Sequence, residues 1–173
     1  FFTCYVSKLA YSSYFQNRKF DAAEKLAVSL TERFPQHPFS WKVLGALLKQ
    51  TGRIIESLIP MQKSVQLAPQ DAAAHFNLGV TLQELGRVEE AISSYKQAIA
   101  LKPDHAEAHS NLGVTLQELG RGEEAQTSYK QAIALKPDFA EAHFNLGNTL
   151  KGLGRLEVAQ ASFKQAIALK PDF

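Results

Sequence analysis

Of 173 residues one is cysteine (Cys4), one is methionine and one is tryptophan. A single thiol excludes an internal disulfide framework and fits a reducing, cytoplasmic setting. There is no run of about 18 apolar residues and no basic stretch leading into an apolar one, so the sequence reads without a membrane span or signal peptide. Nineteen basic residues against 17 acidic ones leave a net charge of +2, too small a bias to draw nucleic acid or a membrane surface by charge. No nucleophile, base and orienting group stand at useful spacing, and there is no glycine-rich phosphate loop and no paired-carboxylate arrangement. The expectation is a chain that is not an enzyme and needs no cofactor. The first residue is Phe1 rather than a methionine and the last closes a repeat, so we expect a piece of a longer protein.

What the chain has is repetition. Residues 72–105 read AAAHFNLGVTLQELGRVEEAISSYKQAIALKPDH, and residues 106–139 differ from them at six positions (107, 110, 122, 126, 127 and 139). Residues 140–173 change eight positions of that second copy. A fixed period of 34 residues marks a solenoid, in which each unit buries its apolar face only by stacking on its neighbours. Trp41, Leu44, Gly45, Leu48 and Pro69 stand one period before His75, Leu78, Gly79, Leu82 and Pro103 and define a diverged unit at 38–71. Ala10, Tyr14, Ala23 and Pro35 keep the register in a unit at 4–37, where Tyr11 replaces the small residue. The domain expectation is a single array of five units: 4–37, 38–71, 72–105, 106–139 and 140–173.

Inside a unit, Leu78, Leu82 and Leu85 fall at helical spacing, and so do Ala91, Tyr95, Ala98, Ile99 and Leu101 after Gly86-Arg87. Each unit therefore reads as helix, tight turn, helix. Gly86, Gly120 and Gly154 occupy the turn, where a positive φ suits glycine. Asp104 with Glu107, and Asp138 with Glu141, have capping-box spacing, and Pro103 and Pro137 stop the preceding helix. Gly79, Ala91 and Ala98 let paired helices approach while Leu82 and Tyr95 fill the space. Glu89-Glu90 and Glu123-Glu124 suit the positive end of a helix dipole. Pro60 breaks the local rule about seven residues into a helix, at a cost of roughly 3 kcal/mol, so a kink or a late helix start is expected there, with Ser57 and Ser64 adding to an irregular unit.

The spacing of Leu78, Gly79, Leu82, Gly86, Ala91, Tyr95, Ala98 and Pro103 resembles the tetratricopeptide repeat pattern, over residues 4–173. The resemblance implies an all-α, right-handed α-solenoid whose first helices line a concave groove holding extended peptides or partner helices. The AEAHxNLG and LKPDFAEAH wording is similar to bacterial repeat proteins and to the helical-repeat half of O-linked N-acetylglucosamine transferases. A substrate-presenting region of a larger glycosyltransferase-like enzyme, its catalytic domain following residue 173, is therefore an alternative to a free-standing protein-binding scaffold.

One column of the expected groove asks for a reason. Asn77, Asn111 and Asn145 each precede Leu-Gly mid-helix, although asparagine is a mediocre helix former. Its amide offers a donor and an acceptor side by side, matching one peptide unit of an extended chain. With helices stacked at roughly 10 Å and a strand advancing about 3.4 Å per residue, each Asn would meet about every third residue. The plainer account is that three recent duplicates inherited the same Asn. The transferase resemblance implies the ladder, because those repeats present Asn from this helix position. Around the column lie Phe76, Ser110 and Phe144, then Val80, Val114 and Asn148, then Gln83, Gln117 and Lys151 with Glu84 and Glu118 beside them. Phe76 and Phe144 serve either as anchors for an apolar ligand side chain or as packing between repeats.

Other ligands fare worse. Lys42 and Asn77 match two positions of the carboxylate clamp that chaperone-binding relatives use, but Ala46 stands where Asn is needed and Glu107 where Lys is needed, and a glutamate there repels a carboxylate. His75, His109 and His143, about 10 Å apart in stacked units, are too distant to share a zinc at about 2.0–2.1 Å per ligand and read as packing residues; His105 and His109 lack a third ligand. RNA reading by stacked helix pairs with Asn at base-contacting positions is a remote alternative, opposed by the period, the Pro-Asp turn and the absence of a basic stripe. The partner expected is a protein or peptide, not nucleic acid and not a membrane. The outer face of the last unit (Leu153, Leu156, Phe163) is expected to be partly bare and to permit end-to-end self-association.

Overall fold

The computed structural model describes residues 20–171. Cys4, Ala10, Tyr11 and Tyr14, and with them the first helix expected for 4–37, lie outside the described residues, as does Phe173. Among the described residues there are nine α-helices and no strand: α1 Phe20–Arg33, α2 Pro38–Gln50, α3 Ile54–Leu67, α4 Ala72–Glu84, α5 Val88–Leu101, α6 Ala106–Glu118, α7 Gly122–Leu135, α8 Ala140–Gly152 and α9 Leu156–Leu169. They fall into two compact units, Phe1–Leu85 and Gly86–Phe173, the division passing between the two helices of repeat 72–105. In the first unit α1 packs on α2, α2 on α3, and α4 on both α3 and α2. In the second, each of α5 to α9 packs on its neighbour in sequence, and α6 also touches α8.

Within a pair the helices are held by a glycine facing a large side chain. A Cβ on Gly113 would lie 2.7 Å from the Tyr129 ring, one on Gly147 2.6 Å from the Phe163 ring, and one on Gly45 3.0 Å from the Met61 side chain. At Gly113 and Gly147 these distances leave no room for a Cβ against a ring, so the close approach requires glycine; at Gly45 the Met61 side chain has only to give by a few tenths of an ångström. Tyr129, Met61, Ala125 and Ala132 are accordingly buried to 1% exposure or less. In the first unit Ala27, Val43, Leu44 and Leu48 form a cluster with Phe39 packed against it.

The turn between paired helices follows the expected glycine rule. Gly120 has φ +72°; its N–H donates to the Gln117 carbonyl at 2.9 Å, and the Arg121 N–H donates to the Leu116 carbonyl at 2.9 Å, which is the Schellman pairing. Arg121 then grips Glu124 with Nε and Nη2 at 2.7 and 2.6 Å, as Arg87 grips Glu90. Where Val158 replaces that glutamate, Arg155 reaches back to Glu123 at 2.7 Å instead. These pairs are exposed and contribute little individually.

Two local expectations need correction. Asp104 and Asp138 do not cap α6 and α8; the N-caps are His105 and Phe139, without a side-chain cap bond. The Lys-Pro-Asp segment closes a β-turn first, with the His105 and Phe139 N–H groups donating to the Lys102 and Lys136 carbonyls, so Asp sits inside the turn and the helix begins one residue later. At that later position only α4 carries an aspartate: Asp71 accepts from Ala73 and Ala74 at 2.9 and 3.2 Å. Burial raises the Asp71 pKa, but Lys42 at 2.6 Å and the two N–H groups outweigh it and hold the carboxyl below its ordinary value. Nor does Pro60 delay its helix. α3 begins at Ile54, in register with Val88, Gly122 and Leu156, and runs through Pro60 to Leu67. In that register the other repeats have Ser94, Ser128 and Ser162, whose hydroxyls already share the carbonyl four residues back. Packing on α2 and α4 offsets the lost donor.

The first helices of the repeats are tied to the preceding turn by the residue read as a packing histidine. Nε2 of His75, His109 and His143 lies 2.9, 3.1 and 3.0 Å from the carbonyl of Pro69, Pro103 and Pro137. Trp41 makes the same bond from Nε1 to the Pro35 carbonyl at 2.8 Å. A carbonyl only accepts, so each imidazole carries its proton on Nε2. On α9, Leu156 is 65% and Ile167 51% exposed, whereas Phe163, and Leu153 at the end of α8, are half-buried.

Two sets of substitutions test this packing by urea denaturation followed by circular dichroism. Gly147→Ala should destabilise by about 1–3 kcal/mol through the clash with Phe163, whereas Gly152→Ala, whose Cβ meets nothing within 4 Å, should be neutral or stabilise by up to about 1 kcal/mol; the reverse order contradicts the glycine–ring constraint. His143→Phe should cost about 1 kcal/mol and His143→Trp less, because tryptophan restores an N–H toward Pro137; equal losses would show that the bond is immaterial.

Candidate functional site

The expected groove residues sit on the first helices, α4, α6 and α8. Asn77, Asn111 and Asn145 are each half-buried at mid-helix. Asn111 and Asn145 belong to helices that touch one another within the second unit, and Asn77 to α4 of the first. Thr115 Oγ1 donates to the Asn111 carbonyl at 2.8 Å and Thr149 Oγ1 to that of Asn145 at 2.9 Å.

Two of the asparagines border recesses. Asn145 lines one of about 390 Å³ with Val114, Gln117, Glu118, Tyr129 and Glu141. Asn77 lines one of about 400 Å³ with Ala46, Lys49, Gln50, Met61 and Glu84. Asn148 borders a smaller hollow of about 220 Å³ with Gln117, Thr149 and Leu153 among its walls. Gln117 is the polar hinge of the second unit: its Oε1 accepts from Tyr129 Oη at 3.3 Å and lies 2.8 Å from Thr149 Oγ1. Burial, with the carboxylates of Glu118 and Glu141 nearby, pushes the Tyr129 phenol well above its ordinary pKa, so it remains protonated.

The remaining expected site residues divide. Phe76 and Gln83 are half-buried on α4, and Asn148 is half-buried on α8. Ser110 is only 3% exposed and offers a ligand almost no surface. Phe144 packs edge-on against Phe163, centroids 5.7 Å apart at 60°, so packing accounts for this aromatic. Lys42 is bonded to Asp71 at 2.6 Å, a second reason why a carboxylate clamp does not form there. Among the described residues no group of three or more His, Cys, Asp or Glu could hold a metal ion, and no helix is long and apolar enough to cross a membrane.

Sequence reasoning missed Tyr129, Glu141, Lys49 and Met61 as recess walls. Tyr129 and Met61 come from second helices, and their register was already explained by packing; that a packed phenol also lines a surface depends on helix pairing, which spacing alone does not carry. Glu141 was assigned to a cap that does not form. The available signal was the register itself, since Lys49 stands where later repeats have Gln83 and Gln117.

Family models of the tetratricopeptide repeat match in series: a TPR repeat model over residues 82–120 and 118–154, and tetratricopeptide repeat models over 140–173 and 61–93. No curated protein matches the chain. Among solved structures, a crystal structure of MamA is 24% identical and covers 94% of this chain and 95% of its own, with a TM-score of 0.88. MamA from Desulfovibrio magneticus RS-1 (residues 41 to end) is 17% identical, with 96% and 94% coverage and a TM-score of 0.88. YrrB, a TPR protein with an unusual peptide-binding site, is 19% identical, with 94% and 84% coverage and a TM-score of 0.82. At these identities the likeness is one of fold.

Proposed function

The chain belongs to the tetratricopeptide repeat family, and from that premise we propose that it is a protein-interaction scaffold whose side-chain amides hold an extended segment of a partner by its main chain. The observation that carries this is the recess beside Asn145, matched by the recess beside Asn77. Each places a half-buried amide next to a hollow large enough for a side chain, so one group can address the partner's backbone while the hollow takes what projects from it. In the second unit Asn145 does this, with Asn111 half-buried on a helix that touches its own; in the first unit Asn77 does so. Gln83, Gln117 and Asn148 add further amides, and Phe76 an aromatic surface. YrrB supports the reading as a protein of the same fold with a peptide-binding site.

Recognition of main chain by amides predicts breadth rather than one sequence. An array of immobilised extended peptides of mixed sequence, probed with the labelled chain, should show many weak positives. The triple variant Asn77→Ala, Asn111→Ala, Asn145→Ala should lose signal by about tenfold or more with unchanged circular dichroism. Unchanged capture by the triple variant would refute the amide mechanism.

A further inference from the structure

Gln117 has two jobs for one amide. It lines both the recess beside Asn145 and the smaller hollow beside Asn148, and it is exposed near the end of α6. Toward the protein it is an acceptor. Tyr129, 0% exposed, donates to Gln117 Oε1 over a long 3.3 Å bond, and Thr149 Oγ1, 4% exposed, lies 2.8 Å from the same oxygen. The phenol has no other hydrogen-bond partner among the described residues, and a buried hydroxyl left without one is costly. That requirement decides which way the amide faces. Its oxygen points inward, and the nitrogen with its two N–H donors points away from Tyr129. Every side-chain hydrogen bond of Gln117 among the described residues runs through Oε1, so both donors remain for a ligand.

The first unit lacks this device. There, 68 residues (117 − 49) earlier, the positions of Gln117, Tyr129 and Thr149 hold Lys49, Met61 and Thr81. Lys49 has no oxygen to offer and turns its ammonium to Glu84 at 3.2 Å. Met61 brings no hydroxyl, and Thr81 Oγ1 is buried without a hydrogen-bond partner. The orphaned threonine shows what the inward oxygen of Gln117 does for the fold. Its outward nitrogen is surplus to that task.

Resting on the peptide-binding reading above, we infer that Gln117 is a donor-only anchor of the second unit, whose Nε2 gives a hydrogen bond to a main-chain carbonyl of the bound segment. Tyr129 and Thr149 are its positioning residues, which keep the amide from turning. An amide free to rotate serves either pole of a peptide group and has to be ordered by the ligand; one held at its oxygen is ordered beforehand. Because Gln117 serves one pole, it fixes which peptide groups of an extended segment can lie over it. The first unit, with Lys49 engaged by Glu84, sets no such register.

The test uses the full 173-residue chain labelled with nitrogen-15 and one probe, acetyl-Ala-Ala-Ser-Ala-Ala-amide, followed through the side-chain amide signals of Gln117 and Asn145. Both should move along one saturation curve, Gln117 downfield as its N–H gains an acceptor. Gln117→Glu keeps an oxygen for Tyr129 and Thr149 but removes the donor. It should raise the half-saturating concentration read at Asn145 by about tenfold, with circular dichroism unchanged. Tyr129→Phe, which places here the ring that Phe163 supplies in the last repeat, keeps the packing and removes the lock; it should raise that concentration about threefold. If Asn145 moves and Gln117 does not, or if Gln117→Glu binds as tightly as the parent chain, the amide serves only the fold. The anchor is then wrong and main-chain recognition by asparagine stands. If neither amide moves, both readings fail. Full affinity in Tyr129→Phe overturns the positioning role of the phenol, and should Gln117→Glu unfold the chain, the Gln117 signals of the parent decide.

Discussion

The close approach of α6 to α7 and of α8 to α9, glycine against ring, is the contact on which the second unit depends. With 2.6–2.7 Å between a hypothetical Cβ and the ring at Gly147 and Gly113, neither partner can change alone. The contact buries Tyr129 and so decides where its hydroxyl lies, bonded to Gln117 in the wall beside Asn145. A packing rule thus becomes a chemical one: the residue that joins the helix pair also holds the Gln117 side chain.

The same economy appears at the start of the first helices. His75, His109 and His143 hold the turn carbonyl six residues back, as Trp41 does, which orients the helix on which the asparagine two residues later is displayed. None of these histidines borders the Asn recesses. Their exchange with tryptophan in one register follows from an N–H being the shared requirement, not from size or aromaticity alone.

Most of the fold was legible because it is local and repeated. Helix periodicity, the glycine at positive φ and the 34-residue register all depend on residues close in sequence, and the structure places Gly52, Gly86, Gly120 and Gly154 as that logic demands. The errors were also local: two caps were placed one residue early because the Lys-Pro-Asp turn competes for the same backbone, and the late helix start offered as one outcome at Pro60 does not occur. The site was legible only in part. Asn77, Asn111 and Asn145 stand out from sequence because helix propensity argues against them, and two of them do border hollows. Ser110 is buried, and Phe144 packs on Phe163, one of the two roles its spacing allowed. Glu141 and Lys49, which line the two recesses, could not be chosen that way, since their meeting with Tyr129 and Glu84 requires two repeats to be stacked.

The central claim is that an extended segment lies along the first helices with its main chain held by asparagine amides. A crystal structure of this chain with a peptide retained by the array tests it most directly. The account predicts a main-chain amide of the peptide within hydrogen-bond distance of the Asn145 side chain and a side chain of the peptide in the neighbouring recess. A peptide seated on the second helices α5, α7 and α9, with the asparagine amides untouched, would contradict it.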